Sequence, residues 1–108
     1  MMLFEKWEKA WKNNDASTWI NLLHEDYEFK FHSSGNVMKK SDMTIEIMTN
    51  AMKNETTKNR RCLYENNEIC VVHQLSEFSN GDKEAIMLVS LKKDGLFWRT
   101  ESGATPIK

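Results

Sequence analysis

The chain is predicted to form one α+β domain over residues 1–108, with helices in its first half and long antiparallel strands in its second. Two observations carry this. From Glu68 to Thr105 the sequence reads as two successive hairpins: EICVVHQLSEFS, Asn80-Gly81, DKEAIMLVSLKK, Asp94-Gly95, LFWRTESGAT. Asn-Gly and Asp-Gly tolerate the positive φ that type I′ turns demand, so each pair between apolar runs marks a hairpin. The first half instead repeats apolar residues at helical spacing, Phe4, Trp7 and Trp11, then Ala16, Trp19, Ile20 and Leu23.

Taken in order, MMLFEKWEKAWKNN is an amphipathic helix whose indoles face the core. Its interleaved Glu5, Lys6, Glu8, Lys9 and Lys12 leave no apolar segment for a leader or an anionic membrane surface. Asn13-Asn14-Asp15 breaks it, and Asp15 caps a second short helix. DYEFKFH alternates as a strand with Tyr27, Phe29 and Phe31 on its inner face. Ser33 to Asn36 turns the chain into a short partner strand at Val37 to Lys39. Ser41 opens a third helix with Asp42 in its first turn; Met43, Met48 and Met52 read as core gap-fillers, with an adaptable ligand surface as the alternative. Thr56 to Tyr64 reads as a charge-protected strand carrying Lys58, Arg60 and Arg61; a phosphate or nucleic-acid site is the alternative.

Apolar residues make up 40% and charged residues 29%, with a formal net charge of −1, which gives no electrostatic reason to expect nucleic acid or membrane as partner. The two cysteines, Cys62 and Cys70, form no CxxC pair, so reduced thiols and a cytoplasmic location are expected. In the strand over Lys83–Lys93 both faces are apolar, Ala85, Met87, Val89 and Leu91 against Ile86 and Leu88. Helices are therefore expected over one face, and a second copy of the chain over the face bearing Ile86 and Leu88.

The order of elements, the W-x-x-A-W-x-x-x-D pattern at Trp7 to Asp15, LLHEDYEF at Leu22 to Phe29 and the two turn dipeptides resemble the nuclear transport factor 2-like superfamily, in its SnoaL-like, ketosteroid-isomerase-like branch. That resemblance implies a cystatin-like cone. A curved, mixed, mostly antiparallel sheet wraps three helices, leaves an apolar cavity at its open end, and commonly dimerises through its outer face. Ketosteroid isomerase pairs a carboxylate base with a tyrosine and a protonated aspartic acid. The base position falls here at Phe31, the tyrosine at Trp7 and the protonated aspartic acid at Val89, so steroid isomerisation by that chemistry is not expected.

With the expected register, the ligand-lining set comprises Trp7, Trp11, Phe29, Phe31, Met87, Val89, Trp98 and Thr100. His73 faces the same cavity with Glu77 about 7 Å along its strand, and with Tyr27 could move a proton on a carbonyl-bearing ligand. A core histidine with a rim glutamate is the structural alternative. His24 and Asp26 read as turn-fixing residues, while His32, Arg99 and Glu101 point outward. The three histidines lack metal-ligand spacing, so no metal site and no cofactor are expected. Two functions remain: a protein that binds a small lipophilic molecule in the cone, and a cofactor-independent lyase, isomerase or cyclase using a cavity histidine as acid or base.

Overall fold

A computed structural model describes residues 2–107. Helix α1 spans Leu3–Lys12 and α2 Ala16–Ile20; strands β1 and β2 span Leu23–Phe31 and Val37–Lys39. A short 3-10 turn, Lys40–Asp42, leads into α3, Ile45–Asn54. Strands β3 to β6 then span Glu55–Glu65, Ile69–Phe78, Lys83–Lys93 and Leu96–Pro106. All six strands form one sheet in the order β2-β1-β6-β5-β4-β3. Every pairing is antiparallel except β1 with β6, so the sheet is mixed as expected. The helices bury Trp7, Ala10, Trp19, Met48 and Met52 against its concave face, forming one core with Leu23, Tyr27, Cys70, Val72 and Phe97.

The helix ends follow from local chemistry. Asn14 adopts a positive φ of 53°, ending α1, and the Asp15 N–H returns to the Ala10 carbonyl at 2.8 Å. The Asp15 carboxylate then accepts from the Thr18 N–H at 3.1 Å and its hydroxyl at 2.7 Å, capping α2. Those two donors hold the Asp15 carboxyl below its ordinary value. Because the folded value lies below the unfolded one, this stabilisation is present above the usual carboxylate range and is lost as pH falls through the folded value. We expect the melting-temperature deficit of Asp15→Asn at neutral pH to close progressively below pH ~4. A deficit independent of pH would contradict this role.

Helix α3 starts later than expected. The cap is Thr44, whose Oγ1 accepts from the Ile47 N–H at 3.1 Å, while Asp42 belongs to the preceding 3-10 turn and accepts from the Lys39 N–H at 2.9 Å. Of the two hairpins, Asp94-Gly95 makes the expected two-residue turn, with φ of 55° and 76°. At Asn80-Gly81 only the glycine has positive φ, and the connection is a wider loop closed by the Phe78 N–H on the Asp82 carbonyl at 2.9 Å.

The larger difference concerns which faces of β4 and β5 look inward. The two-residue turn pairs Lys92 with Phe97, and unbroken pairing from there would set Met87 opposite Ser102. Instead the ladder slips by one residue at Trp98, so that Leu91 pairs with Arg99 and Leu88 with Ser102. One extra residue on one strand exchanges the face opposite every later position. Ser102 and Ala104 remain inward on β6. On β5 Ile86 and Leu88 are therefore buried, and on β4 Val72, Gln74 and Ser76.

Met87, Val89, His73 and Glu77, all expected inside, stand on the convex face. Met87 is 41% exposed, and Glu77 meets Lys58 there at 3.9 Å. Trp98 also lies outside the cone, between the cations of Lys93 and Arg99 at 5.2 and 4.3 Å from its ring, and Phe97 takes the buried place. Since Ile86 and Leu88 face the helices, they cannot form the expected contact with a second copy.

Candidate functional site

The concave face and the three helices enclose a cavity of about 300 Å³. Trp7 and Trp11 of α1 and Trp19 of α2 close one side; Phe29 and Phe31 of β1 meet each other at 4.6 Å between ring centroids on another. Met43, Ile47, Met48 and Ala51 line it from α3 and its approach, and Ile86 and Leu88 from β5. The apolar character follows from strand alternation in β1 and helical periodicity in α1 and α3, each turning one face to the same space. Trp7 Nε1 is buried with no hydrogen-bond partner among the described residues, and its indole lies edge-on to Phe4 and Phe97 at 5.9 Å each.

A polar string runs along the β3 and β4 wall. At Asn59, φ is 54° and the β3 ladder shifts between Lys58 and Arg61. This bulge separates the run of cations that alternation alone placed on an exposed strand: Lys58 stays outside, whereas the Arg60 side chain is only 5% exposed and lines the cavity. Its guanidinium lies 5.2 Å from the ring centroids of both Trp7 and Trp11. Arg60 Nε donates to Gln74 Oε1 at 2.9 Å, and the terminal nitrogens donate to Glu8 Oε2 at 3.4 Å and Thr57 Oγ1 at 3.2 Å.

Gln74 Nε2 in turn donates to Ser76 Oγ at 3.1 Å and Glu55 Oε2 at 3.4 Å, and the Ser76 hydroxyl donates to the same carboxylate oxygen. Burial lowers the Arg60 pKa from its ordinary value, while Glu8 and Glu55 oppose that shift. A cation stacked between two indoles, with part of its donor set committed, retains capacity for a ligand acceptor in a largely apolar chamber.

The expected site residues separate into three groups. Trp7, Trp11, Phe29 and Phe31 line the cavity. Tyr27 and Thr100 point inward but lie beneath it, packed into the core; burial raises the Tyr27 phenol well above its ordinary value despite the nearby Thr100 hydroxyl. Thr100 Oγ1 meets Ser90 Oγ at 2.8 Å. The structure does not bring His73, Glu77, Met87, Val89 or Trp98 to this space.

His24 and His32 serve elsewhere. His24 Nε2 meets Asp94 Oδ2 at 3.2 Å while its Nδ1 accepts from the Asp26 N–H at 3.0 Å, tying the β5-β6 turn to β1. His32 Nε2 meets Glu101 Oε1 at 2.9 Å on the outer face. Gln74, Ser76 and Glu55 escaped sequence reasoning, and Arg60 entered it only within a basic run read as an exposed strand. Gln74 and Ser76 follow the apolar Cys70 and Val72 on the same face of β4, and this was the available signal.

No family model matches the sequence, and no curated protein matches it significantly. Solved structures do share the fold. An NTF-2 like protein of unknown function from Burkholderia xenovorans superposes with a TM-score of 0.79 at 12% identity, covering 97% of this chain and 81% of that one. A protein described as a proposed ketosteroid isomerase from Kribbella flavida gives 0.77 at 13% identity, over 98% and 77%. An uncharacterised protein with a cystatin-like fold from Silicibacter pomeroyi gives 0.72 at 16%, over 95% and 73%. The chain therefore has the nuclear transport factor 2-like, cystatin-like fold. Among the described residues no helix is long and apolar enough to cross a membrane.

Proposed function

We propose that the protein binds a small, mostly apolar molecule inside the cone, with an acceptor group of that molecule, a carboxylate or carbonyl, directed at Arg60. The observation that carries this reading is the guanidinium buried in the wall of an otherwise aromatic and aliphatic chamber. Ligand sites are commonly concave and apolar with a few placed polar groups. The catalytic alternative loses its cavity histidine, because none of the three histidines lies in the lining; Glu55 and Glu84 are the carboxylates there.

A thermal-shift comparison of medium-chain and aromatic carboxylic acids with their matching alcohols tests the reading. A ligand at 100 times its Kd stabilises the native state by about 2.7 kcal/mol. We expect acids to raise the melting temperature of the wild type more than alcohols do, and Arg60→Gln to erase that difference. Equal response to acids and alcohols in both proteins would contradict the assigned anchor.

We also propose a homodimer through the outer sheet face. Val71, Leu75, Met87, Val89 and Leu91 supply its apolar centre on β4 and β5 in place of Ile86 and Leu88. Charges border it on both sides, Lys58 and Arg61 on β3 and Arg99 and Glu101 on β6. Two unpaired thiols fit a reducing, cytoplasmic setting. Sedimentation is expected to show a dimer at micromolar concentration that Met87→Glu dissociates; a wild-type monomer under those conditions would refute the interface.

A further inference from the structure

Away from the cavity, the β3 margin gathers two thiols and a carboxylate. One ligating atom from each of Cys62, Glu65 and Cys70 lies within 4.8 Å of the others. Cys70 is fully buried, while Cys62 is half-buried on the edge strand. The eight-residue separation of the cysteines hides the site from motif reading. Two irregularities in the β3-β4 ladder, at Lys58 to Arg61 and at Cys62 to Tyr64, set where these side chains meet. The carboxylate is oriented from outside the group. Glu65 Oε2 accepts from Lys92 Nζ at 2.6 Å and from the Phe4 N–H at 3.2 Å, and Lys92 Nζ also donates to the Asn66 carbonyl at 2.7 Å.

We propose that Cys62, Cys70 and Glu65 bind a thiophilic divalent cation, zinc by its chemistry, in a three-residue site with a fourth position open to water. Tetrahedral zinc with bonds of about 2.3 Å to sulfur requires sulfurs roughly 3.8 Å apart, so the two sulfurs need to close by at most about 1 Å. Two thiolates select zinc or another soft ion over magnesium or calcium, which prefer oxygen. Charge balance favours the exchange. Without the ion, the Lys92 ammonium and Glu65 carboxylate cancel beside two neutral thiols. With it, two thiol protons leave to solvent as two sulfur–metal bonds form; the two thiolates offset the +2 ion, while Lys92 and Glu65 still cancel. The pocket therefore remains neutral in both states, the condition a buried group of charges must meet. Lys92 would hold the carboxylate in place through one oxygen, leaving the other for the metal, as outer partners do at metal sites.

The test uses the whole chain, freed of metal, titrated with zinc chloride and separately with cobalt chloride. The expected result is one ion per chain and, for cobalt, the near-ultraviolet charge-transfer band of thiolate ligation. Cys62→Ser, at the more exposed thiol, is expected to abolish that band and weaken zinc binding by at least about 100-fold. Lys92→Gln is expected to weaken it by ~10–100-fold while keeping the band. A His24→Ala/His32→Ala/His73→Ala variant should bind as the wild type does. Stoichiometric binding without a thiolate band, binding indifferent to Cys62→Ser, or no binding at 100 micromolar ion would each overturn the site. The wild-type cobalt spectrum decides the matter even if a variant fails to fold.

Discussion

Trp7→Ala is expected to destabilise the protein by about 3–5 kcal/mol, the range for removing a buried aromatic side chain from a core. The indole is 8% exposed, meets Phe4 and Phe97 edge-to-face at 5.9 Å, and carries the Arg60 guanidinium on its ring. Its removal opens a void beside an existing cavity and takes one of two aromatic partners from a buried cation. At roughly 4–8 °C per kcal/mol for a domain of this size, the melting temperature should fall by more than ~12 °C. Trp7→Phe, which keeps a ring against Phe97, should lose less than half as much. Urea unfolding of the three proteins checks this, and equal stability of wild type and Trp7→Ala would show that the α1 indole is not packed as described.

The second large effect is expected at Lys92. Its side chain is 5% exposed and its partner Glu65 8% exposed, so Lys92→Met strands a carboxylate in the core. Breaking a buried ion pair from one side costs about 3–5 kcal/mol because the remaining charge is left uncompensated. The Phe4 N–H on the same oxygen does not replace a full positive charge. Lys92→Met/Glu65→Leu removes both charges and should recover most of the loss, since a well-packed apolar pair is often neutral relative to a buried ion pair. The comparison is best made in the presence of a chelator, so that metal occupancy does not enter. A double variant no more stable than Lys92→Met would mean that the loss came from packing of the lysine stem.

The architecture was legible because it rests on local signals that agree. Trp7, Trp11 and Trp19 at helical spacing, Tyr27, Phe29 and Phe31 in alternation, and Asp94-Gly95 each report a period or a turn that the backbone obeys. On β6 alternation put Trp98, Thr100, Ser102 and Ala104 inward; the last three do face inward, whereas Phe97 takes the buried place expected of Trp98. What failed was propagation from β6 to its neighbours. Trp98 is the extra residue in the ladder, and nothing in LFWRTES separates a bulged tryptophan from a regular one. Because β5 is apolar on both faces, its composition offered no correction: Met87 and Val89 are as plausible inside as Ile86 and Leu88. That single slip carried His73 and Glu77 to the wrong face. It also removed the proposed catalytic pair from the cavity.

Arg60 was hidden for the same reason. Alternation through Lys58, Arg60 and Arg61 describes a charged, exposed strand, whereas a bulge at Asn59 turns one of the three inward. The cost of burying a guanidinium is met by Gln74, Glu8 and two indoles from other elements, with Thr57 three residues back on the same strand. Such a constellation exists only after folding. By contrast, Trp7, Trp11, Phe29 and Phe31 were identified because an aromatic residue on an amphipathic face faces inward whatever the exact register.

The most direct measurement of cavity binding is a fluorescence titration of wild type and Ala104→Phe with anilinonaphthalene sulfonate, an aromatic anion matched to the chamber and to Arg60. Ala104 lines the cavity from β6, so a phenyl ring there occupies the ligand's volume. The account predicts saturable binding at one site per chain in the wild type, lost in Ala104→Phe at unchanged melting temperature. Identical binding by a folded Ala104→Phe, or only unsaturable binding by the wild type, would contradict it.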